Sequence, residues 1–565
     1  MHSRSFPLAA LSVLSSGALA APAPGAVPVP PLYAEGVLEL AKRQSGLTRY
    51  QPVEVPCPDT ALVRDATGLG TPEAEYIASR KEKADAALAQ WLERQGSFGN
   101  SSQPTVALAS SGGGYRALLA GAGVIKAFDA REGSNQVSGL YQALTYQSGL
   151  SGGAWLLSSQ SGNDWPTISY LQENLWEDAF EVSLLLPANL LSFSGLTQYG
   201  AITTEILSKE GAGFDTTIID PWGRLLSYQL LEGAFGGVDT QMSTLSSLSN
   251  FTDHNVPFPI ITALGVVARE NQCTPPDDAT QYEFHPYEFG SWDDGLSAFA
   301  NVEFLGSNLN NGQPEDASQC VAEYDNLGYV LGTSSNIFPA ICEPLSPANS
   351  TDDPLANVLE GIISLAHEPV FEDLFALYRN PFFNLSRSSR VSQDEELLLL
   401  DGGFSNQNVP IWPFIVEARD VDVLIVNDNS ADTEDNYPNG TAPHQTYLQA
   451  QLNGLAKMPF VPDVNTFVSQ GLNQRATFFG CDEPDTTFIV YLPNREYSFA
   501  SGQSTGKVVY SKDETRAMIA NGVQVGTQDG EEGWGLCLAC AIKSREEGLP
   551  EGCAACFDKY CYRQS

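Results

Sequence analysis

The chain has 565 residues and 42% of them are hydrophobic, enough for a large buried core and, by length alone, for three or more domains of roughly 150 residues each. Its 29 basic against 68 acidic residues give a formal net charge of −39, which excludes binding built on attraction to nucleic acid or to an anionic bilayer. The balance fits an extracellular protein in mildly acidic surroundings, where many carboxylates are partly neutralised.

Met1-His2-Ser3-Arg4 is a positive start, Phe6 to Ala20 is apolar, and Ala18-Leu19-Ala20 is a small-x-small cleavage site. Residues 1–20 therefore read as a secretory signal peptide. The Pro/Ala-rich piece that follows cannot pack a core. It ends near the dibasic pair Lys42-Arg43, so residues 21–43 read as a pro-segment cut after Arg43; the alternative is two ordinary surface charges. No linker of the expected kind follows, and 44–565 reads as one large elaborated α/β domain.

Lys81 to Gln95 is a charged amphipathic helix leading to a short buried strand, Thr105 to Ala109. Next comes Ser110-Ser111-Gly112-Gly113-Gly114-Tyr115-Arg116, then a tightly packed helix, Ala117 to Ile125. Three glycines let several N–H groups turn to one point at a helix N-terminus, where an anion is stabilised. Arg116 adds a planar positive charge suited to a phosphate. The bland alternative is a turn that merely lets the helix pack on the sheet.

Leu140 to Gln147 is mixed apolar and β-prone and leads into Gly149-Leu150-Ser151-Gly152-Gly153, with a helix start at Ala154-Trp155-Leu156-Leu157. This G-x-S-x-G form places a serine on a sharp strand-to-helix turn with its hydroxyl exposed. The pattern alone is weak, since Gly502-Gln503-Ser504-Thr505-Gly506 also matches but precedes the strand-like Lys507 to Tyr510. Only the first has strand, turn and helix in order. For a serine nucleophile, the anion at the glycine run is the tetrahedral oxyanion of acyl transfer.

Residues 160–390 read as a long insertion carrying a strand over Pro259 to Val267. Its most apolar part, 183–193, is either an acyl groove or lid, or plain core. Leu397-Leu398-Leu399-Leu400 then reads as a buried central strand ending in Asp401-Gly402-Gly403, which puts Asp401 at a strand's carboxyl end, where functional groups gather in open α/β sheets. Asp420 to Val426 is a further strand, ending near Asn427-Asp428.

In a secreted chain ten cysteines read as disulfides. Five are dispersed (Cys57, Cys273, Cys320, Cys342, Cys481) and five crowd the end (Cys537, Cys540, Cys553, Cys556, Cys561), so full pairing requires a bridge between the two groups. The doubled C-x2-C spacing would hold zinc in a reducing compartment. Sequons at Asn100, Asn250, Asn349, Asn384 and Asn439 fit an N-glycosylated surface. No later stretch reaches the roughly 18 uncharged apolar residues of a membrane helix, and the C-terminus lacks the hydrophobic tail of a lipid-anchor signal, so a soluble extracellular protein is expected.

Three of these stretches, S-G-G-G-Y-R-A, G-L-S-G-G-A-W and L-D-G-G, resemble in order and wording the catalytic set of fungal secreted lysophospholipases (phospholipase B) and of the related cytosolic phospholipase A catalytic domain. Phe289-Gly290-Ser291-Trp292, Gln407 to Pro413, and Asn429-Ser430-Ala431-Asp432 with Pro438-Asn439-Gly440-Thr441 look like the fungal branch, and the similarity runs from about residue 45 to the end. The resemblance implies that Ser151 is the nucleophile and Asp401 its dyad partner. It also implies that Gly113 and Gly114 line the oxyanion hole, joined in our reading by Gly152, and that Arg116 meets the phosphate. The expected fold is α/β, with a central, mostly parallel sheet, flanking helices, large insertions and disulfide staples.

The expected activity is hydrolysis of the fatty acyl ester of lysophospholipids presented in micelles or membranes, with acceptance of diacyl phospholipids left open. No cofactor, metal, nucleic acid or protein partner is implied. A broader esterase or a transacylase on the same site is the first alternative, and a secreted lipid-binding glycoprotein without turnover is the second. A hydrolase triad using His444, downstream of Asp401 and Asp428, is the rival to a histidine-free dyad.

Overall fold

The computed structural model describes residues 50–99, 103–185, 193–266, 275–276, 278–316, 318–341, 371–386, 388, 390–546 and 548–564. The signal peptide, the pro-segment with Lys42-Arg43, Asn100, Asn349, Cys273, Cys342, His367 and residues 186–192 of the apolar stretch lie outside them.

Twelve strands form one mixed sheet. In chain order they are β1 (Val63–Asp65), β2 (Val106–Ser110), β3 (Tyr146–Gly149), β4 (Phe258–Val266), β5 (Gln281–Phe284), β6 (Glu288–Ser291), β7 (Ala298–Asn301), β8 (Ala376–Arg379), β9 (Glu396–Leu400), β10 (Val423–Asp428), β11 (Thr477–Phe479) and β12 (Phe488–Pro493). The centre, β12-β10-β2-β3-β4, is parallel throughout. Both margins are antiparallel: β11 on β12 at one side, and the meander β5-β6-β7-β1 with the pair β8-β9 at the other. The span 160–390 is thus less an insertion than expected, since it supplies β4 to β8.

Alternation along the parallel strands sets the layers. Val106 and Leu108, Val423 and Ile425, and Phe488 and Val490 enter one buried cluster, whereas Ala107 and Ala109, Leu424 and Val426, and Ile489 and Tyr491 enter a second. Every residue of β2, β10 and β12 is buried, so both faces of the central sheet are covered.

The expected helix at Lys81 to Gln95 begins ten residues earlier, as α1 (Thr71–Gln95), with a proline in its first turn where the missing N–H does no harm. The tightly packed helix is α2 (Gly114–Phe128), and α3 (Gly152–Ser161) leaves the serine turn. Later come α4 (Phe193–Gly211), α5 (Ile219–Leu230), α6 (Leu327–Ser334), α7 (Thr441–Leu452), α8 (Lys512–Thr527), α9 (Trp534–Ile542) and α10 (Gly552–Tyr560). A Cβ on Gly123 of α2 would overlap the backbone of Ile519 and Gly522 in α8, so the two helices cross at backbone contact. Leu140 to Gln147 divides into a single helical turn, Leu140–Ala143, and the start of β3. Lys507 to Tyr510 forms no strand.

All eight cysteines among the described residues are bridged: Cys57–Cys320, Cys481–Cys561, Cys537–Cys556 and Cys540–Cys553. Cys481–Cys561 joins the dispersed set to the C-terminal one. The doubled C-x2-C presents two sulfurs from α9 to two from α10 and consumes them as disulfides, which removes the zinc reading. Among the described residues no helix is long and apolar enough to cross a membrane.

Candidate active site

Ser151 follows β3 by two residues and caps α3, with φ 53 and ψ −120. A positive φ at a non-glycine residue persists only where the surroundings over-determine it. Gly149, Gly152 and Gly153 supply those surroundings, because the turn is pressed on three sides by backbone. A Cβ at Gly149 would strike Gly153, one at Gly152 would strike Gly114, and one at Gly153 would strike Ser110 and Ser111. The turn and the glycine run are therefore in direct contact. Ser504, in the competing motif, lies instead in an irregular segment between β12 and α8.

The glycine run ends at Gly113, with φ 134, a left-handed conformation that favours glycine, and α2 begins at Gly114. Two helix N-termini, those of α2 and α3, thus meet beside Ser151. Among the described residues, the N–H groups of Gly113, Gly114 and Gly152 take no acceptor, whereas those of Gly112 and Ser151 do (Asn408 O, 2.9 Å, and Ser334 Oγ, 3.0 Å). Donors left open at converging helix N-termini are the arrangement that stabilises an oxyanion.

Asp401 reaches this point from an unexpected direction. β4 is nine residues long and outruns β3: Gly149 pairs with Ile261, and β4 continues to Val266. Ile261 also pairs with Phe284 of β5, and Leu264 pairs with both Gln281 of β5 and Leu400 of β9. β3 and β9 therefore share one edge of β4. β9 runs antiparallel down that edge towards β3, and the two stop three residues apart, about 10 Å at the usual strand rise. Ser151 and Asp401 fill the gap. The expected placement at a strand's carboxyl end holds for β9 itself, but β9 belongs to the antiparallel margin rather than to the parallel centre.

Asp401 is buried, its carboxylate accepts the Gly403 N–H (2.8 Å to Oδ1), and the Ser151 hydroxyl lies near enough to favour its ionised form. Burial pushes its pKa up to about 6, against the opposing pull of the Gly403 N–H and the Ser151 hydroxyl. Its own N–H donates to Asn336 O at 3.1 Å.

Arg116 stands beside the glycine run, as expected, but is itself buried. Nε donates to Asn429 O (2.9 Å), and Nη1 to Gln503 O (2.6 Å) and Thr505 Oγ1 (3.1 Å). Nη2 lies against Gly113, where a Cβ would overlap it. Burial pulls the guanidinium down to about 10, opposed by Tyr510, Asp428 and Asp432. It is charged at neutral pH, and three of its donor contacts already serve the protein.

Asn408 is a residue that motif reading names only in passing. Its carbonyl accepts the Gly112 N–H, and its Nδ2 donates to Gly112 O (3.3 Å) and Ser430 Oγ (2.8 Å), which in turn donates to Asp428 Oδ1 (2.6 Å). This chain of bonds latches the glycine run to the end of β10. Its signal in sequence was the short distance from Asp401.

The described histidines lie elsewhere. His444 sits in α7 with Nδ1 on Val461 O at 3.0 Å, half-buried rather than on the open surface, and His254 packs its ring on Tyr76. His285 lies with Glu73 and Glu288, a group whose oxygens and Nε2 stand close enough for a metal. Arg419 already holds Glu73 and Arg64 holds Glu288, so this group is an ion-pair cluster. Of the described sequons, Asn384 is exposed, while Asn250 and Asn439 are half-buried and hydrogen-bonded. Ser183, Leu184 and Leu185, the described start of the apolar stretch, are buried.

A family model for the lysophospholipase catalytic domain matches residues 106–565. The chain is 37% identical to a lysophospholipase of Kluyveromyces lactis, over 93% of this chain and 88% of that protein. It is 38% identical to lysophospholipase 1 of Saccharomyces cerevisiae, over 91% and 83%. In structure it is similar to human GIVD cytosolic phospholipase A2, with a TM-score of 0.64 at 20% identity, covering 88% of this chain and 72% of that one.

Proposed function

The chain belongs to the lysophospholipase catalytic-domain family and hydrolyses phospholipid esters, and from that premise we propose that it cleaves the fatty acyl ester of lysophospholipids through Ser151 and Asp401 by way of an acyl-enzyme, with hydrolysis rates on lyso- against diacyl-phosphatidylcholine deciding whether diacyl lipids are substrates too. The observation that carries this reading is Ser151 placed beside the buried carboxyl of Asp401 at the meeting point of two helix N-termini. Asp401 accepts the Ser151 proton as Oγ attacks the ester carbonyl. The N–H groups of Gly113, Gly114 and Gly152 receive the oxyanion, where losing one such donor costs roughly 3–4 kcal/mol. Collapse breaks the ester C–O bond, and the leaving alkoxide takes the proton from Asp401. Water, deprotonated by Asp401, then attacks the acyl-enzyme and releases the fatty acid and Ser151. Arg116, on its Nη2 side, faces the phosphate. We also read the enzyme as secreted and N-glycosylated, with residues 1–20 as its signal; the exposed Asn384 supports this, and a mass shift on deglycosylating enzyme recovered from medium tests it.

Ser151→Ala is expected to abolish turnover of lysophosphatidylcholine and labelling by a fluorophosphonate probe with folding unchanged, and Ser504→Ala to be nearly silent. Substantial hydrolysis by the first variant would remove Ser151 from the mechanism. Product analysis in mixed micelles separates hydrolysis from transfer: free fatty acid as the main product supports the hydrolase, and acylated lysophospholipid supports the transacylase.

A further inference from the structure

We propose that Ser334, at the C-terminal end of α6, is a positioning residue that holds the nucleophile turn in register with Asp401. The proposal rests on the dyad reading above and adds a third element to it. Ser151 and Asp401 lie 250 positions apart in the chain, on separate elements that end on one edge of β4. Nothing in either motif fixes the distance between them. The segment Ser334-Ser335-Asn336 touches both.

Ser334 is fully buried, and its hydroxyl has one proton and two lone pairs. It donates the proton to Thr262 O at 2.7 Å and accepts the Ser151 N–H at 3.0 Å. Thr262 lies in the gap itself, between Ile261, the partner of Gly149, and Leu264, the partner of Leu400. Two residues on, Asn336 O accepts the Asp401 N–H at 3.1 Å, and Asn336 Nδ2 reaches Leu374 O (3.0 Å) and Leu399 O (3.3 Å). One short segment therefore pins the nucleophile, the strand edge and the base. Pinning the Ser151 N–H also withholds it from the oxyanion, so the donor on the α3 side is Gly152. The rival reading is a helix end that only packs the core. Ser335 supplies the comparison: its hydroxyl accepts the indole N–H groups of Trp155 (3.0 Å) and Trp222 (3.3 Å) and contacts neither dyad member.

The test compares Ser334→Ala, Ser334→Cys, Ser334→Thr, Ser335→Ala and Ser151→Ala in the full chain, reading kcat and KM on lysophosphatidylcholine micelles, fluorophosphonate labelling rate and Tm. Ser334→Ala is expected to lower kcat and labelling together by about 10- to 100-fold with KM within about twofold, as misplacement of a reacting group does. Ser334→Thr, which keeps the hydroxyl, is expected to recover most of the rate. Ser335→Ala is expected to lower Tm with kcat unchanged. A Ser334→Ala enzyme within about twofold of the parent in kcat, or a threonine variant no faster than the alanine one, overturns the proposal. Should Ser334→Ala fail to fold, the near-isosteric cysteine decides: its weak S–H donor is expected to lose rate, and parental kcat overturns the proposal. A dead Ser151→Ala beside an intact Ser334→Ala sinks the positioning role alone, whereas an active Ser151→Ala sinks the dyad reading and the positioning role with it.

Discussion

Asp401 is held where an ionised carboxylate is disfavoured, and that has consequences for both rate and stability. As the proposed base it must be ionised, so kcat/KM is expected to fall as pH drops through about 6, the folded-state value to which burial pushes it. The stability effect has the opposite sense. The folded chain holds this proton more tightly than the unfolded chain, whose carboxyl titrates near the ordinary 3.8. Ionisation therefore withdraws stability as pH rises between those values, about 3 kcal/mol in all at 1.36 kcal/mol per unit. Asp401→Asn keeps an acceptor for the Gly403 N–H and carries no charge. It is expected to be nearly inactive yet to melt higher than the parent at pH 8, with the difference vanishing below pH 4; equal melting at both pH values would mean that burial is not what raises this carboxyl. His444 makes its ring bond to Val461 and none to the dyad, so His444→Ala is expected to keep most activity. A folded but dead His444 variant, with turnover surviving in Asp401→Asn, would replace the dyad by a triad.

The elements around Arg116 show how much of its guanidinium serves structure, beside the phosphate contact proposed for it. Its guanidinium ties the first turn of α2 to the loop after β10, through Asn429, and to the segment before α8, through Gln503 and Thr505. Lysine keeps the charge but has no planar fork with which to span these carbonyls. Arg116→Lys is expected to lose about 1–3 kcal/mol of stability from the broken ties and, beyond that, to lose more activity on lysophosphatidylcholine than on a phosphate-free ester. Equal losses on the two substrates would assign Arg116 to the scaffold alone. The contrast marks what the sequence could reveal. The serine turn, the glycine run and Asp401 were legible because each is a short contiguous pattern where a strand ends. The direction of β9 was not, because Leu397 to Leu400 reads the same whichever way its neighbour runs. Ser334, Asn336 and Asn408 were hidden for a related reason: a serine or asparagine has no periodicity of its own, and its partners are set by strand register far away in the chain. The hold of Gln503 and Thr505 on Arg116 spans more than 380 positions and left only a misleading G-x-S-x-G behind.

At the scale of the whole molecule, the C-terminus fastens an open edge of the sheet. β11 is the outermost strand on its side, and an unpaired edge offers N–H and C=O groups to other chains. Here Cys561 bridges to Phe478 of β11 in parallel register, and the Tyr562 N–H donates to Phe478 O at 2.8 Å, so the tail covers that edge. Cys481–Cys561 locks the cover in place across 80 residues, while Cys537–Cys556 and Cys540–Cys553 close only 19 and 13 between α9 and α10. Loop-closure entropy makes the longer bridge the more stabilising, by roughly 4–5 kcal/mol against about 3 for each short one. The doubled substitution Cys481→Ala, Cys561→Ala is therefore expected to lower the guanidinium unfolding midpoint more than Cys540→Ala, Cys553→Ala does. It should also release the tail, so that hydrogen exchange quickens at Phe478 and Tyr562 and the protein self-associates through the bared edge. Ser151, Asp401 and the glycine run sit at the ends of β3, β9 and β2, well inside the sheet from the β11 edge that the tail covers, so specific activity of the remaining monomer should match the parent. An unchanged midpoint and an unchanged exchange rate at Phe478 would show that the tail holds its place without the bridge, and that strand pairing and the buried face of α9 fasten this edge by themselves.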